Sequence, residues 1–393
     1  MTRKTFVAGV GMVPFAKPGA SESYEKMGAA ATRLALADAG IGYGAVEEAY
    51  AGYIYGDTCS GQRALYEVGL TGIPIFNVNN ACSTGSNAIY LARRAIETGV
   101  ADVVLAVGFE QMNPGALGAV FRDRPKSTER FEDSARDILG ASDIPTAIRL
   151  FGGAGFDHMK RHGTPLESFA KIRAKASRHA ARNPLAVFRK EVTAEEVMAD
   201  QVIWPGVMTR LMACPPTCGA AAAVLCSEDA AKKFGLDTRV WIAGQAMTTD
   251  TADTFESQDM RRVVGYGMAQ RAAEQLYHAT GIGPDDVDVV ELHDCFAHNE
   301  LIIYEALGLC PEGGAQKFID DGDNTYGGRY VVNPSGGLLS KGHPIGATGL
   351  AQCVELTQQL RGTADARQVE GARVALQHNV GVGGACVVTM YRN

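Results

Sequence analysis

The sequence predicts an α/β protein whose chain runs twice through one plan of buried sheets flanked by helices. Three observations carry this. Strand-like and helix-like stretches alternate along most of the 393 residues, as where Val103–Val107 follows the helical segment Leu91–Gly99. An internal echo is present: Phe6-Val7-Ala8-Gly9 resembles Trp241-Ile242-Ala243-Gly244, and each leads through a linker and an Ala-rich helix to Gly40-Ile41-Gly42 or Gly281-Ile282-Gly283. A content of 46% hydrophobic and 21% charged residues is that of an ordinary globular chain, long enough for two or three packed units.

In chain order, the strand-like Phe6–Gly11 opens the first half. Its helix and a further strand pattern lead to Asn79-Asn80-Ala81-Cys82-Ser83-Thr84-Gly85, which stands ahead of a helix over Ser86–Thr98. From about Pro114 to Leu211 the pattern breaks into glycine-containing and helical pieces. Between His158 and Lys190 the charges are nearly all basic (Lys160, Arg161, Lys171, Arg173, Lys175, Arg178, Arg182, Arg189 and Lys190 against Glu167), which fits an anionic ligand such as the phosphates of a nucleotide carrier; a solvated helix face is the competing reading. In the second half, Lys341-Gly342-His343-Pro344 stands ahead of its own helix, at the place that Cys82 holds in the first. A pseudo-twofold packing would bring the two face to face.

The formal charge of -7 argues against general nucleic-acid binding, and no apolar run reaches the roughly 18 residues of a membrane span. The start Met1–Lys4 lacks a signal-peptide pattern and Tyr391-Arg392-Asn393 carries no peroxisomal address, so a cytoplasmic protein is expected. Nine cysteines without metal-ligand or small-domain disulfide spacing read as reduced thiols, with no metal site.

Four loops carry residues suited to chemistry. In Asn333–Gly349, Gly342 and Pro344 fix the backbone around the imidazole of His343, just before a helical pattern over Ala347–Leu360 whose N-terminus favours negative charge. Cys82, at the start of a helix, is in a nucleophile's setting, where the helix end should lower a thiol pKa and a base such as His343 would raise its thiolate fraction further. Glu291-Leu292-His293-Asp294-Cys295-Phe296 follows the strand-like Val287–Val290 and sets a second thiol beside an imidazole at a strand's C-terminal edge. Gln377–Gly384 supplies His378 and a glycine-rich run of backbone N–H groups able to form an oxyanion hole. Each alone has a competing reading as a polar loop or a buried thiol; four in one chain point to a shared site.

Together NNACSTG, HDCF, NPSGGLLSKGHPIGATG and QHNVGVGGA resemble the thiolases, and within them those of the sterol carrier protein type, with similarity running from the first strand to the last residues. The resemblance implies two βαβαβ-type halves in a five-layer αβαβα arrangement with an inserted loop domain that holds coenzyme A. The implied division is 1–115 plus 212–238 for the first half, 116–211 for the insert and 239–393 for the second half. It makes Cys82 the acylated nucleophile and His343 its base. Other thiolases have Asn-Glu-Ala-Phe where this chain has His293-Asp294-Cys295-Phe296, and their second catalytic cysteine where this chain has His378. In the sterol carrier type the acid/base cysteine comes from the HDCF motif, here Cys295. His343 and His293 would form one oxyanion hole, and the N–H groups of Cys82 and of the His378–Gly381 loop, chiefly Val380 with Gly381, the second. The basic residues Lys160, Arg161, Lys171, Arg173, Lys175, Arg178 and Arg182 would meet coenzyme A.

The activity implied by the resemblance is that of an acyltransferase: cleavage of 3-oxoacyl-CoA by CoA, or the reverse condensation, through an acyl-Cys82 intermediate, with CoA as substrate and no permanently bound cofactor. Medium or branched acyl chains and a homodimer are the defaults, a tetramer the alternative assembly. The chain departs from the family at Cys218, where an aspartate is common. Rival readings are a retro-aldolase acting with a partner subunit, whose known relatives depart at the nucleophile or at the histidine of Gly-His-Pro, and an acyl-CoA or lipid-binding module.

Overall fold

The computed structural model describes residues 3–114 and 123–393, so the expected boundary at 115/116 lies outside the described residues. The first half contains β1 (Thr5–Met12), α1 (Tyr24–Ala39), β2 (Glu48–Gly52), α2 (Ser60–Tyr66), β3 (Ile75–Val78), α3 (Thr84–Glu97) and β4 (Val103–Glu110). Next come α4 (Glu129–Leu139), α5 (Thr146–His162), α6 (Leu166–Ala181), α7 (Ala194–Met198) and a short hairpin of β5 (Val202–Trp204) and β6 (Met208–Thr209). The chain returns through β7 (Gly219–Ser227) and α8 (Glu228–Phe234). The second half has β8 (Trp241–Thr248), α9 (Asp253–Glu256), α10 (Met260–Val263), α11 (Tyr266–Thr280), β9 (Val289–Glu291), α12 (Ala297–Ala306), α13 (Ala315–Asp320), β10 (Val331–Val332), α14 (Thr348–Arg361), β11 (Val374–Gly381) and β12 (Ala385–Arg392).

Ten strands follow the order β10-β9-β11-β12-β8-β1-β7-β4-β2-β3. Outward from the middle, this is one pattern twice: β1-β7-β4-β2-β3 and β8-β12-β11-β9-β10. The directions also match, with two antiparallel pairings followed by two parallel ones in each half. The halves join edge to edge where Phe6 pairs with Trp241 and Val7 N–H donates to Val240 O at 2.9 Å. The echo of FVAG in WIAG therefore marks the two strands on either side of the seam.

Helices α3 and α14 pack on each other between the sheets, α3 against β2 and β4, and α14 against β7 and β11. Helices α1 and α11 cover the outer faces, completing the five layers. One apolar core fills the space between the sheets, with Ile89 and Ile96 of α3 meeting Leu350 and Leu356 of α14. A second lies under α1, and a third runs without a break from the insert (Phe151, Phe169) into α12 (Leu301, Ile302). Shared burial of this kind makes the insert a buttress of the second half, since its helices have no separate core.

Two glycines set the central crossing. A Cβ on Gly85 would come within 3.0 Å of Gly349 N, and one on Gly349 would collide with Ser86. Helix starts can approach this closely only without side chains. Among the described residues, no helix is long and apolar enough to cross a membrane.

Candidate active site

Cys82 occupies the tip of a tight strand-to-helix turn. Ala81 is held in the left-handed region at φ 47°, unusual for a residue with a Cβ. The turn is closed by Thr84, whose Oγ1 donates to Ala81 O at 2.6 Å and accepts from Asn80 N–H at 2.8 Å, and by Ser83, whose Oγ donates to Asn80 O. All three hydroxyl bonds are local, so the nucleophile is mounted by its own motif. From the other half, the end of β11 arrives at the turn: a Cβ on Gly381 would lie 3.2 Å from Cys82 N and would collide with Asn80 O. Val380, fully buried beside it, packs its Cγ2 toward Gly265.

His343 precedes α14 by five residues. Its Nδ1 lies 2.6 Å from Thr348 Oγ1, and that hydroxyl also donates to Pro344 O at 3.0 Å. With its single proton so committed, Thr348 accepts from Nδ1–H and leaves the lone pair on Nε2. Backbone anchors are equally specific: His343 N–H donates to Thr217 Oγ1 at 2.5 Å, and His343 bridges Pro216.

His293 has the opposite tautomer. Its Nδ1 accepts from Asn379 Nδ2 at 3.0 Å, so Nε2 carries the proton. His378 likewise takes the His293 N–H on Nδ1 at 3.4 Å. The Nε2 atoms of His293, His343 and His378 are all buried without a hydrogen-bond partner. Three orphaned ring nitrogens cost stability and are retained where a ligand meets them. The His293 and His343 rings stand edge to face, 5.0 Å apart, and one atom from each lies within 4.8 Å of the Cys82 sulfur and of the other. One proton-accepting and one proton-donating imidazole thus stand beside the thiol, with His378 buried behind His293.

Electrostatics correct one expectation. Rather than being lowered by the helix start, the Cys82 thiol is pushed up to about 12, first by burial and then by the Glu110 charge, with its backbone hydrogen bond opposing. Burial lowers His343 to about 3 and His378 to about 3, and holds His293 well below the usual imidazole range, with the neighbouring imidazoles adding to it. The resting pair is therefore a neutral thiol and a neutral imidazole. Cys295, also buried, is held well above the ordinary thiol range by burial and by Cys214 and Cys82, so it too carries its proton. Its carbonyl accepts Cys214 N–H at 2.8 Å, across a bridge of Ala213 with Phe296.

Several supports were not visible in the sequence motifs. Glu110, the last residue of β4 and 1% exposed, accepts from Ile54 and Tyr55 N–H in the first half and from Gly346 N–H in the second, at 2.9–3.1 Å. One carboxylate thereby clasps the base loop to the nucleophile's sheet. Its position at a strand's C-terminal edge was the signal that could have found it. Glu291 accepts from Ser335 N and Oγ, and Asp294 from Leu338 N–H at 2.7 Å, tying the HDCF loop to the loop of His343. Burial first, then Glu300, pushes Asp294 up to about 8. Cys214 is an electrostatic neighbour of both reactive thiols. Cys218, where the family commonly has an aspartate, is fully buried and its sulfur accepts Met112 N–H at 3.2 Å.

The basic run divides. Arg173 and Lys175 are buried, Arg173 donating to Ser340 Oγ at 2.6 Å and Lys175 pairing with Glu300, so these two brace the His343 loop and α12 instead of facing a ligand at the surface. Lys160 lies over the Phe156 ring, Arg161 pairs with Asp157, Lys171 with Glu167 and Asp320, and Arg182 lies over Tyr326. Arg178, Lys171 and Thr193 line a cavity of about 380 Å³ at the foot of the insert.

Comparison with known proteins agrees with this fold. Residues 5–203 match the family of the thiolase N-terminal domain and residues 249–391 that of the thiolase C-terminal domain-like family. Sterol carrier protein 2 of Oryctolagus cuniculus is 52% identical over 393 residues, covering 99% of this chain and 72% of the relative. Benzoylsuccinyl-CoA thiolase subunit BbsB of Thauera aromatica is 36% identical over 98% of this chain and 96% of its own. The solved structure of an Ltp2-ChsH2(DUF35) aldolase superposes at a TM-score of 0.82 with 24% identity, over 98% of this chain and 97% of its own, and attests the fold. The chain belongs to the thiolase superfamily, and within it to the sterol carrier protein type.

Proposed function

We propose that the chain is a CoA-dependent thiolase acting on 3-oxoacyl-CoA esters through an acyl-Cys82 intermediate. The observation that carries this is the pair of unpartnered Nε2 atoms on His343 and His293, one a proton acceptor and one a donor, on rings that each set an atom within 4.8 Å of the Cys82 sulfur.

In the cleaving direction, Cys82 Sγ attacks the 3-keto carbon while its proton passes to His343 Nε2. The two events are concerted, because a free thiolate is unfavourable in so desolvated a place. The bond between C2 and C3 then breaks, and its electron pair becomes the enolate of acetyl-CoA. The enolate oxygen is met by His293 Nε2–H and by the new Nε2–H of His343, which need no reorganisation when the charge develops. Cys295 gives its proton to C2. The CoA thiol next attacks the acyl group, Cys295 takes the CoA proton, and the tetrahedral oxyanion sits on the N–H groups of Cys82 and of Val380 or Gly381. Cys82 leaves and recovers its proton from His343. His378, buried against the His293 backbone, offers a further Nε2–H donor. Running the sequence backward gives condensation, with Cys82 acetylated first.

The exposed members of the basic run, Lys160, Arg161, Arg178 and Arg182, with the half-buried Lys171, supply contacts for CoA phosphates. The edge strand β3, with Phe76, Tyr66 and Leu70 exposed around it, fits a second copy of the chain in a homodimer. Incubation of the isolated chain with CoA and straight, 2-methyl-branched and steroid-side-chain 3-oxoacyl-CoA esters tests the reading: shortened acyl-CoA should form, and intact mass should show an acyl group on Cys82. Cleavage that appears only when a second protein is added and leaves no acyl-enzyme would favour the retro-aldolase reading instead.

A further inference from the structure

A second cluster of imidazole and carboxylate groups lies outside this site, where α5 of the insert crosses α12. His158 and His162 are one helical turn apart on the same face of α5, with rings 4.6 Å apart. Glu305, the second-last residue of α12, sets Oε1 2.9 Å from His158 Nε2. One ligand atom from each of the three side chains lies within 4.8 Å of the other two. The His158 and Glu305 side chains are fully buried, whereas His162 is exposed.

Three details go beyond a satisfied buried pair. Glu305 Oε1 is crowded, accepting from Gly313 N–H at 2.9 Å and Ala315 N–H at 3.3 Å as well as meeting the His158 ring, yet Oε2 is buried with no partner. An unpaired carboxylate oxygen withdrawn from water calls for a cation or a donor. Thr164 Oγ1 lies 2.9 Å from His158 Nδ1. That hydroxyl can accept from Nδ1–H, which leaves the Nε2 lone pair toward Glu305, the tautomer and outer contact that a metal-binding histidine needs. Gly313, at φ 76°, makes room for the His162 ring, since a Cβ there would lie 2.8 Å from Nδ1. Arg261, the cation that His162 feels, is paired with Asp259 at 2.8 Å and Glu312 at 2.7 Å, which offsets part of its repulsion of an ion.

We propose that His158, His162 and Glu305 bind one divalent transition-metal ion of the zinc class, with Thr164 orienting His158 and water on the exposed side completing four ligands. Two imidazoles and a carboxylate form a donor set that zinc takes, and imidazole selects against magnesium and calcium. Such an ion would pin the insert to the second half, on the side where the two share one core.

The test uses the full-length chain stripped by chelator, with Zn²⁺ titrated calorimetrically and Co²⁺ followed by its visible absorption. Cys82, His293 and His343 could also capture a soft ion, so Cys82→Ala serves beside His162→Ala. The expected result is one ion per chain in wild type and in Cys82→Ala, and affinity weaker by about 100-fold or more in His162→Ala, whose metal-free melting temperature should match wild type because the ring is exposed. Zn²⁺ should raise the melting temperature of the first two proteins and not of the third. No binding in wild type, equal binding in wild type and His162→Ala, or loss confined to Cys82→Ala would each overturn the proposal.

Discussion

The two central helices begin with the same dipeptide, Thr84-Gly85 in α3 and Thr348-Gly349 in α14, and put it to different use. The glycines touch each other across the pseudo-twofold axis. The threonines diverge: Thr84 closes the nucleophile's own turn on Ala81 and Asn80, whereas Thr348 holds the base through His343 Nδ1. Around the nucleophile the supports are short-range hydroxyls. Around the base, the hydroxyls of Thr348 and Thr217 hold the ring and its backbone, and the loop beyond is braced by long-range charged groups, with Glu110 reaching from the opposite half and Glu291, Asp294 and Arg173 converging on the segment Ser335–Ser340. Duplication supplied the frame, and the difference lies in what each end has to control. A thiol must only be presented, but an imidazole must be held in one tautomer and one orientation.

The largest effect should come from removing what the first half presents. Cys82→Ser should lower kcat by about 10⁵- to 10⁶-fold, the scale on which a nucleophile's loss is felt, with little change in melting temperature. Full retention of activity with 3-oxoacyl-CoA and CoA would end the comparison, because nothing would then need presenting.

How much of this could be read from the sequence divides along the same line. Cys82, His343, His293 and Cys295 were legible as candidates because short motifs carry them, and the duplicated α/β plan because strand and helix patterns repeat locally, the five layers being implied by the resemblance. Glu110 was not singled out, since its three donors come from segments up to 236 residues away and only its place at a strand's C-terminal edge pointed to it. The basic run misled for a related reason. Lys175 and Glu300 are 125 residues apart, so the sequence displays the charge and hides the partner. The expected lowering of the Cys82 thiol failed because helix-end polarity is a modest effect beside burial and the Glu110 charge.

The clasp between the halves should show itself in the pH dependence of stability. Glu110 is raised from 4.5 to about 7 by burial, against three backbone donors that lower it. Its folded pKa lies above the unfolded one, so the folded state holds more protons between these values. The stabilisation is full below about pH 4.5 and is lost as pH rises through about 7. The shift of 7 − 4.5 = 2.5 units corresponds to about 3 kcal/mol across that window. Glu110→Gln should flatten this part of the curve in urea unfolding at about pH 4.5, 6 and 7.5. An unchanged slope would show that the carboxyl is not so perturbed.

Thr348→Val removes the hydroxyl that fixes the base while keeping its volume. The ring of His343 then loses its tautomer lock, and kcat should fall by about 10²-fold, at the low end of what general acid–base catalysis supplies. Thr348→Ser should restore most of it and return the kcat pH profile toward wild type. A loss of stability without a kcat change would make Thr348 only a packing residue.

Thr84→Val makes the same exchange at the other helix and should act on a different observable. The half-buried N–H of Asn80 loses its partner and the O of Ala81 keeps only the backbone N–H of residue 84, which costs about 1 kcal/mol. Ala81 stays at φ 47° only while the turn over-determines it, so the variant should unfold at lower urea. Because Thr84 touches neither ring nor thiol, the pH profile of kcat should remain that of wild type even if kcat drops a fewfold. If Thr84→Val moved the profile as Thr348→Val does, the two ends would be coupled through the Gly85–Gly349 crossing, and nucleophile and base would be one mechanical unit instead of two mounted separately.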